Sequence, residues 1–265
     1  MFKRLRAMVL ISLRSEMVFR LNFIFLFVGL PIKILISWLL WDFVIADNPG
    51  FSGMTRNQII VFVAFTSFLS YIYDTNTTLQ LVQRKLIYGE AVSDLTLPMD
   101  YHTMEIYSSW GTFILYGIIG LISLSAMFLF AGVTVILTPV KVILIFAIII
   151  VNTYMQYFLV MIISSLAIFI GTVDSIKFSL LSGLQFFSGL LLPLAIFPEG
   201  ARNVLYLNPL SGMIDLPASI LVSDVIDYSL VGIRLGILLV WIIGLYFLNK
   251  KVWSISLEKF TAPGE

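Results

Sequence analysis

Side chains able to do chemistry are scarce in this chain, and none stands in a catalytic spacing. Four acids, Glu90, Asp94, Asp100 and Glu105, lie in one short stretch beside the only histidine, His102. Clustered carboxylates at a membrane interface are what an enzyme acting on lipid would need, but metal-dependent phosphotransfer requires a repeated acidic spacing that these residues lack. A metal site needs several converging ligands, so a lone histidine among scattered acids reads as a solvated polar group. No metal and no catalytic residue is assigned. The sequence holds no cysteine, which excludes thiol redox chemistry and disulfides.

A second set of polar residues interrupts apolar runs, where polarity is expensive and marks helix contacts or a pathway. Lys33 follows Pro31 in the middle of the first run and needs a partner, a cavity or a route to the interface. Asp74, Asn76 and Thr78 form a polar patch that reads either as an inner vestibule or as solvated chain beyond a helix ending at Tyr73. Asn152 and Gln156, four apart, share a helix face and suit hydrogen bonds to a neighbouring helix more than contact with cargo.

These residues need helices to hold them. Of the 265 residues 60% are hydrophobic and 12% charged, with a mean hydropathy of +1.02. That is too little polar surface for a water-soluble globule of this size. The apolar runs are continuous rather than alternating, which favours helices over a barrel. A spanning helix needs about 20 apolar residues, and six such stretches are read at 21–44, 57–80, 107–131, 142–170, 176–197 and 226–248. The fold class is therefore an all-α integral membrane protein. Residues 1–20 carry Lys3, Arg4, Arg6, Arg14 and Arg20 among apolar residues at helical spacing, as an interfacial amphipathic helix would. The chain reads as a single transmembrane domain over 1–265, with the six-span region at 21–248 and a tail at 249–265.

Six crossings place both termini on one side, and that side collects eleven of the sixteen Lys and Arg residues. The positive-inside rule makes it the cytoplasm. Two longer connections remain, a cytoplasmic one over 81–106 and an external one over 198–225. Pro193 within the fifth stretch and Pro198 near its end break the backbone ladder, and short helices at 201–207 and 214–221 would form a re-entrant hairpin capping the outer mouth of a pathway. A formal net charge of +1 without a basic stripe gives no support to nucleic-acid binding.

Ile87, Gly89, Glu90, Asp94, Leu95 and Pro98 resemble the region after the second span in ABC-2-type transporter permeases. Ser188, Gly189, Pro193, Phe197, Pro198, Asn208 and Pro209 resemble that family's signature from the fifth span into the hairpin. The resemblance implies the permease subunit of an ATP-driven exporter, working by alternating access with a second permease and two copies of a cytoplasmic ATPase. Arg84, Lys85, Ile87, Gly89, Glu90, Asp94, Leu95 and Pro98 would form the coupling element that meets the ATPase, with Asp174 in a second, smaller contact. The chain has no G-x-x-x-x-G-K-[ST] pattern, so ATP and Mg would belong to the partner, with no cofactor expected in this chain. The setting implied is a bacterial cytoplasmic membrane. An intramembrane lipid-modifying enzyme and an ion-coupled secondary transporter are the rival readings, and the latter would need more mid-membrane ionisable groups than Lys33.

Overall fold

Long apolar runs punctuated by Gly, Pro and short polar clusters become helices, and among the described residues every regular element is helical. The computed structural model describes residues 7, 9–11, 14, 20–47, 54–73, 75–89, 92, 94, 96–97, 100–170, 178, 182–183 and 186–259. In chain order the helices are α1 (Arg20–Asp47), α2 (Arg56–Ile72), α3 (Thr75–Ile87), α4 (Tyr101–Ala131), α5 (Pro139–Ile170), a 3-10 turn (Leu194–Ile196), α6 (Glu199–Tyr206), α7 (Pro209–Met213), α8 (Asp215–Val222) and α9 (Tyr228–Lys259). Among them α4, α5 and α9 are long and apolar enough to cross a membrane. A fourth crossing is counted if α6 and the α7–α8 unit, bent by 83°, form one broken span.

Local chemistry sets the helix ends. Thr55 and Gln58 form a reciprocal capping box at the start of α2. Asp100 accepts from the Thr103 amide at the start of α4, and Gly132 closes that helix in the left-handed region at φ 63°.

Side-chain contacts fix the helix directions. Lys33 donates to Ser70, and Asp42 pairs with Arg56, so α1 and α2 run antiparallel. Tyr71 stacks on Tyr116 with ring centroids 5.0 Å apart, and Phe68 lies against Gly120, so α2 and α4 are antiparallel. His102 with Tyr157, and Trp110 with Tyr154, make α4 and α5 antiparallel. By contrast, α5 and α9 are parallel: Phe158 meets Tyr246, and the Lys259 ammonium lies 5.0 Å from the Phe169 ring centre. The core gathers where α2, α3, α5 and α8 meet, around Phe62, Leu69, Leu79, Met155, Met161 and Leu216.

Several sequence expectations need correction. The second stretch is not one helix over 57–80, because α2 stops at Ile72. Tyr73 has left helical geometry (φ −91°, ψ 54°), and its hydroxyl donates to the Ile149 carbonyl. The threonines that follow are weak helix formers, and the chain restarts as α3 packed on α5. Residues 75–87 are therefore helix rather than solvated loop, and the 81–106 connection shrinks to 88–100. The fifth stretch does not stay helical to 197. Residues 187–193 form turns in which Gly189 takes φ 87°, and Pro193 has no amide to donate. The segment 249–259 continues α9 instead of forming a tail. Of the interfacial stretch 1–20, only Ala7, Val9, Leu10, Ile11, Arg14 and Arg20 are described, all helical.

Candidate functional site

Two polar centres stand at opposite ends of the bundle. The first lies in the α6–α8 hairpin. Asn208 caps α7 by accepting from the Leu210 amide, with Pro209 at the first helical position, and its own amide reaches the Phe187 carbonyl. Asp215, at the start of α8, accepts from the Leu194 amide at 3.1 Å, from Ser219 at 3.2 Å and from Arg234 of α9 at 2.9 Å. Both charged side chains are buried, and Arg234 also donates to the Ser211 carbonyl and lies 4.1 Å over the Tyr206 ring. Gly189 sits against this carboxylate, where an added Cβ would come within 2.8 Å of the Asp215 Cβ. A glycine is needed here for that space and for its positive φ.

The hairpin also reaches deep along its neighbours. Asn152 is fully buried and donates to the Gly212 carbonyl at 3.1 Å, while Gly212 packs on Leu238. At its other end α8 is capped by the buried Lys141, whose ammonium binds the carbonyls of Leu221 and Ser223. From Lys141 to Asn152 is about 16 Å along α5, and α7 and α8 together cover that depth. Trp241 of α9 donates to the Leu207 carbonyl at 2.7 Å and fixes the α6–α7 corner.

The second centre lies where α3 and α4 meet. Lys85 binds Asp94 at 3.0 Å and Glu105 at 2.6 Å, tying the 88–100 connection to both helices. Lys85 and Glu105 stand in the wall of a cavity of about 180 Å³ between α2, α3, α4 and α5. Ser108, Ser109, Thr112, Tyr116, Thr153, Gln156 and Tyr157 also line it. Beside it His102 is hydrogen-bonded to Tyr157 at 2.6 Å and rests against Trp253, which stacks on Tyr101 at 4.9 Å. His102 is therefore held in an aromatic cluster and is not the freely solvated group that its position beside Asp100 and Glu105 suggests.

The sequence-assigned residues thus separate. Asn152 faces the hairpin and Gln156, one turn on, faces the cavity. Lys33 has Ser70 as a partner. Arg84, Lys85 and Ile87 end α3, Gly89 turns the chain at φ 75°, and Asp94 folds back on Lys85. Ser188 is buried and caps the Leu190 amide, and Phe197 closes the 3-10 turn. Pro198 caps α6. Asp74, Glu90, Leu95, Pro98 and Asp174 lie outside the described residues, as do the side chains of Asn76 and Thr78. Sequence reasoning missed the Asp215–Arg234 pair and the Lys141 cap. The only signal for the pair was a single arginine inside an otherwise apolar run.

Long apolar helices, with the buried Arg234 paired to Asp215 inside the protein, are those of a multi-pass membrane protein, all-helical among the described residues. This chain belongs to the ABC-2 family: the family model described as ABC-2 family transporter protein matches residues 31–264. It is a membrane transport subunit of that family. No curated protein matches the chain.

Proposed function

We propose that this chain is the permease subunit of an ATP-driven ABC exporter, one transmembrane domain that works with a separate ATPase. The family match over 31–264 carries the reading. In it the chain crosses six times with both termini in the cytoplasm of a bacterium, pairs with a second permease and engages two ATPase copies that hold ATP and Mg. Helix directions support six crossings. Because α5 and α9 are parallel, an odd number of passages would separate them in a membrane, and the fifth stretch of the sequence would supply one. The depth of α7 and α8 beside Asn152 and Leu238 supports a hairpin re-entering from the outside.

The ATPase would dock on the 84–98 segment. Lys85 anchors that segment from within, while Arg84, Tyr88, Val92 and Leu97 stay exposed. A contact held rigidly on its inner side and open on its outer side can pass a push to α3 and α4. Alternating access would then open the cavity end and the hairpin end in turn. The test is affinity purification of the tagged chain from mild detergent, with mass spectrometry and an ATPase assay on the eluate. A stoichiometric partner bearing Walker motifs is expected, and its reproducible absence overturns the reading. With that complex, Gly89→Ala with Glu90→Lys should leave ATP hydrolysis running while transport falls. Coupled transport at the normal rate in that variant rules out this docking segment.

A further inference from the structure

The walls of the cavity between α3, α4 and α5 are electron-rich. Ser109 donates its hydroxyl proton to the Ile106 carbonyl, and Thr153 donates its own to the Ile150 carbonyl, so both oxygens turn lone pairs rather than protons to the space. Phe113, Tyr116 and Tyr157 add aromatic rings to the lining, and an aromatic face attracts cations. The charge balance agrees. In the lining itself Lys85 and Glu105 cancel; Lys85 is also bound by Asp94, which is not in the lining, so these three described groups together carry one surplus negative charge. Arg84, the next cation along, is exposed on α3 and is not part of the lining. His102 is turned toward Tyr157 and Trp253. A single water needs about 10–15 Å³, so a space of about 180 Å³ takes a small organic ion.

We propose that this cavity binds an organic ammonium ion, its charge set against Glu105, its N–H groups on Ser109 and Thr153, and its apolar part against the aromatic rings. That such an ion is the cargo rests on the permease reading, whereas the existence of the site does not. The remaining apolar lining, Ile72, Val82 and Val160 among it, favours an amphipathic amine over a fully polar one.

The absence of native cysteine allows a direct test. The variant S108C places one thiol in the wall, and Q156C places one on the α5 side. Each is labelled in purified protein with 2-aminoethyl methanethiosulfonate, an ammonium, and with 2-sulfonatoethyl methanethiosulfonate, an anion. The two rates are compared with those of 2-mercaptoethanol in the same buffer, and S254C, on an exposed stretch of α9, confirms that the protein preparation reacts. The cation-to-anion ratio should rise about tenfold over the small thiol, as a charged concave site focuses its counter-ion. Glu105→Gln, or Asp94→Asn if the first variant folds poorly, should return the ratio most of the way. Phenethylammonium should slow labelling where phenylacetate does not. A ratio equal to that of 2-mercaptoethanol, equal protection by phenylacetate, or two wall thiols that stay unreactive while S254C labels would each overturn the proposal. None of these readouts involves an ATPase or transport, so failure here and failure of the permease reading are told apart.

Discussion

Arg234 stands alone among apolar residues and is held by one carboxylate, one carbonyl and one ring, Asp215, Ser211 and Tyr206, while its buried Nε has no hydrogen-bond partner among the described residues. A buried pair is weak evidence for net stability, because desolvation consumes most of the attraction, but breaking it strands a charge. Arg234→Met alone should therefore destabilise the protein by about 3–5 kcal/mol, seen as a lowered unfolding midpoint in detergent. The double variant Asp215→Asn with Arg234→Met should recover most of that loss, since an asparagine can still accept from the Leu194 amide. A double variant as unstable as the single one would show that the pair itself is the stabilising element. At Gly189 the expected loss has another cause: alanine there would have to hold φ 87° and clash with Asp215, so Gly189→Ala should destabilise whichever residue occupies 234. The sequence displays the arginine as a lone charge in an apolar run but hides its partner. Asp215 lies across α8 and the 223–227 connection, a separation with no period to read. The Lys85 contacts were hidden for a similar reason, since an ordinary basic residue at a helix end looks the same whether or not two acids reach it.

At the scale of elements, hydropathy reports where apolar chain lies rather than where helices begin and end. It therefore located α4, α5 and α9 but missed that α4 starts at Tyr101 and α9 runs to Lys259. The short helices of the 198–225 connection were more legible. Its prolines and Asn208 are local turn signals with local consequences, and short helices were expected within two residues of α6 and α8. The break at Tyr73 was less legible, because the polar residues after it fit either a wet helix or a loop. Contact of α3 with α5 decides between them, and a contact between distant segments leaves no local mark. What holds the hairpin down is testable at the same scale. Asn152→Leu leaves the Gly212 carbonyl buried without its donor, a loss of about 1–3 kcal/mol. Gly212→Val presses on Leu238, whose side chain already lies 3.0 Å from the position of an added Cβ, and overpacking of this kind costs about 1–3 kcal/mol. Both should lower the unfolding midpoint and raise proteolysis within 199–222, since each loosens the hairpin from a different helix. Protection at wild-type level in both variants would mean that the hairpin is held mainly by Trp241 and the Arg234 pair.

For the whole molecule, parity is the strongest constraint. Helix α5 leaves Ile170 near the Lys259 end of α9, yet Gly189 lies beside Asp215, near the other end. The interval from Arg234 to Lys259 is about 38 Å of helix, so between these two parallel helices the chain passes from one end of the bundle to the other. With no native cysteine, single thiols at exposed positions can report this in intact cells. Thr138 and Ser229 mark the starts of α5 and α9, and Tyr88 and Ser254 mark the opposite end. An impermeant sulfonated maleimide should label T138C and S229C in intact cells, and Y88C and S254C only after permeabilisation. Two comparisons within this set have separate meanings. If T138C and S229C fall on opposite sides, the parallel arrangement of α5 and α9 in the membrane is wrong, and so is the sixth crossing. If the pairs hold together but Y88C and S254C label from outside, the crossings stand and the orientation drawn from the basic residues is reversed, which would move the electron-rich cavity from the inner to the outer face of the membrane.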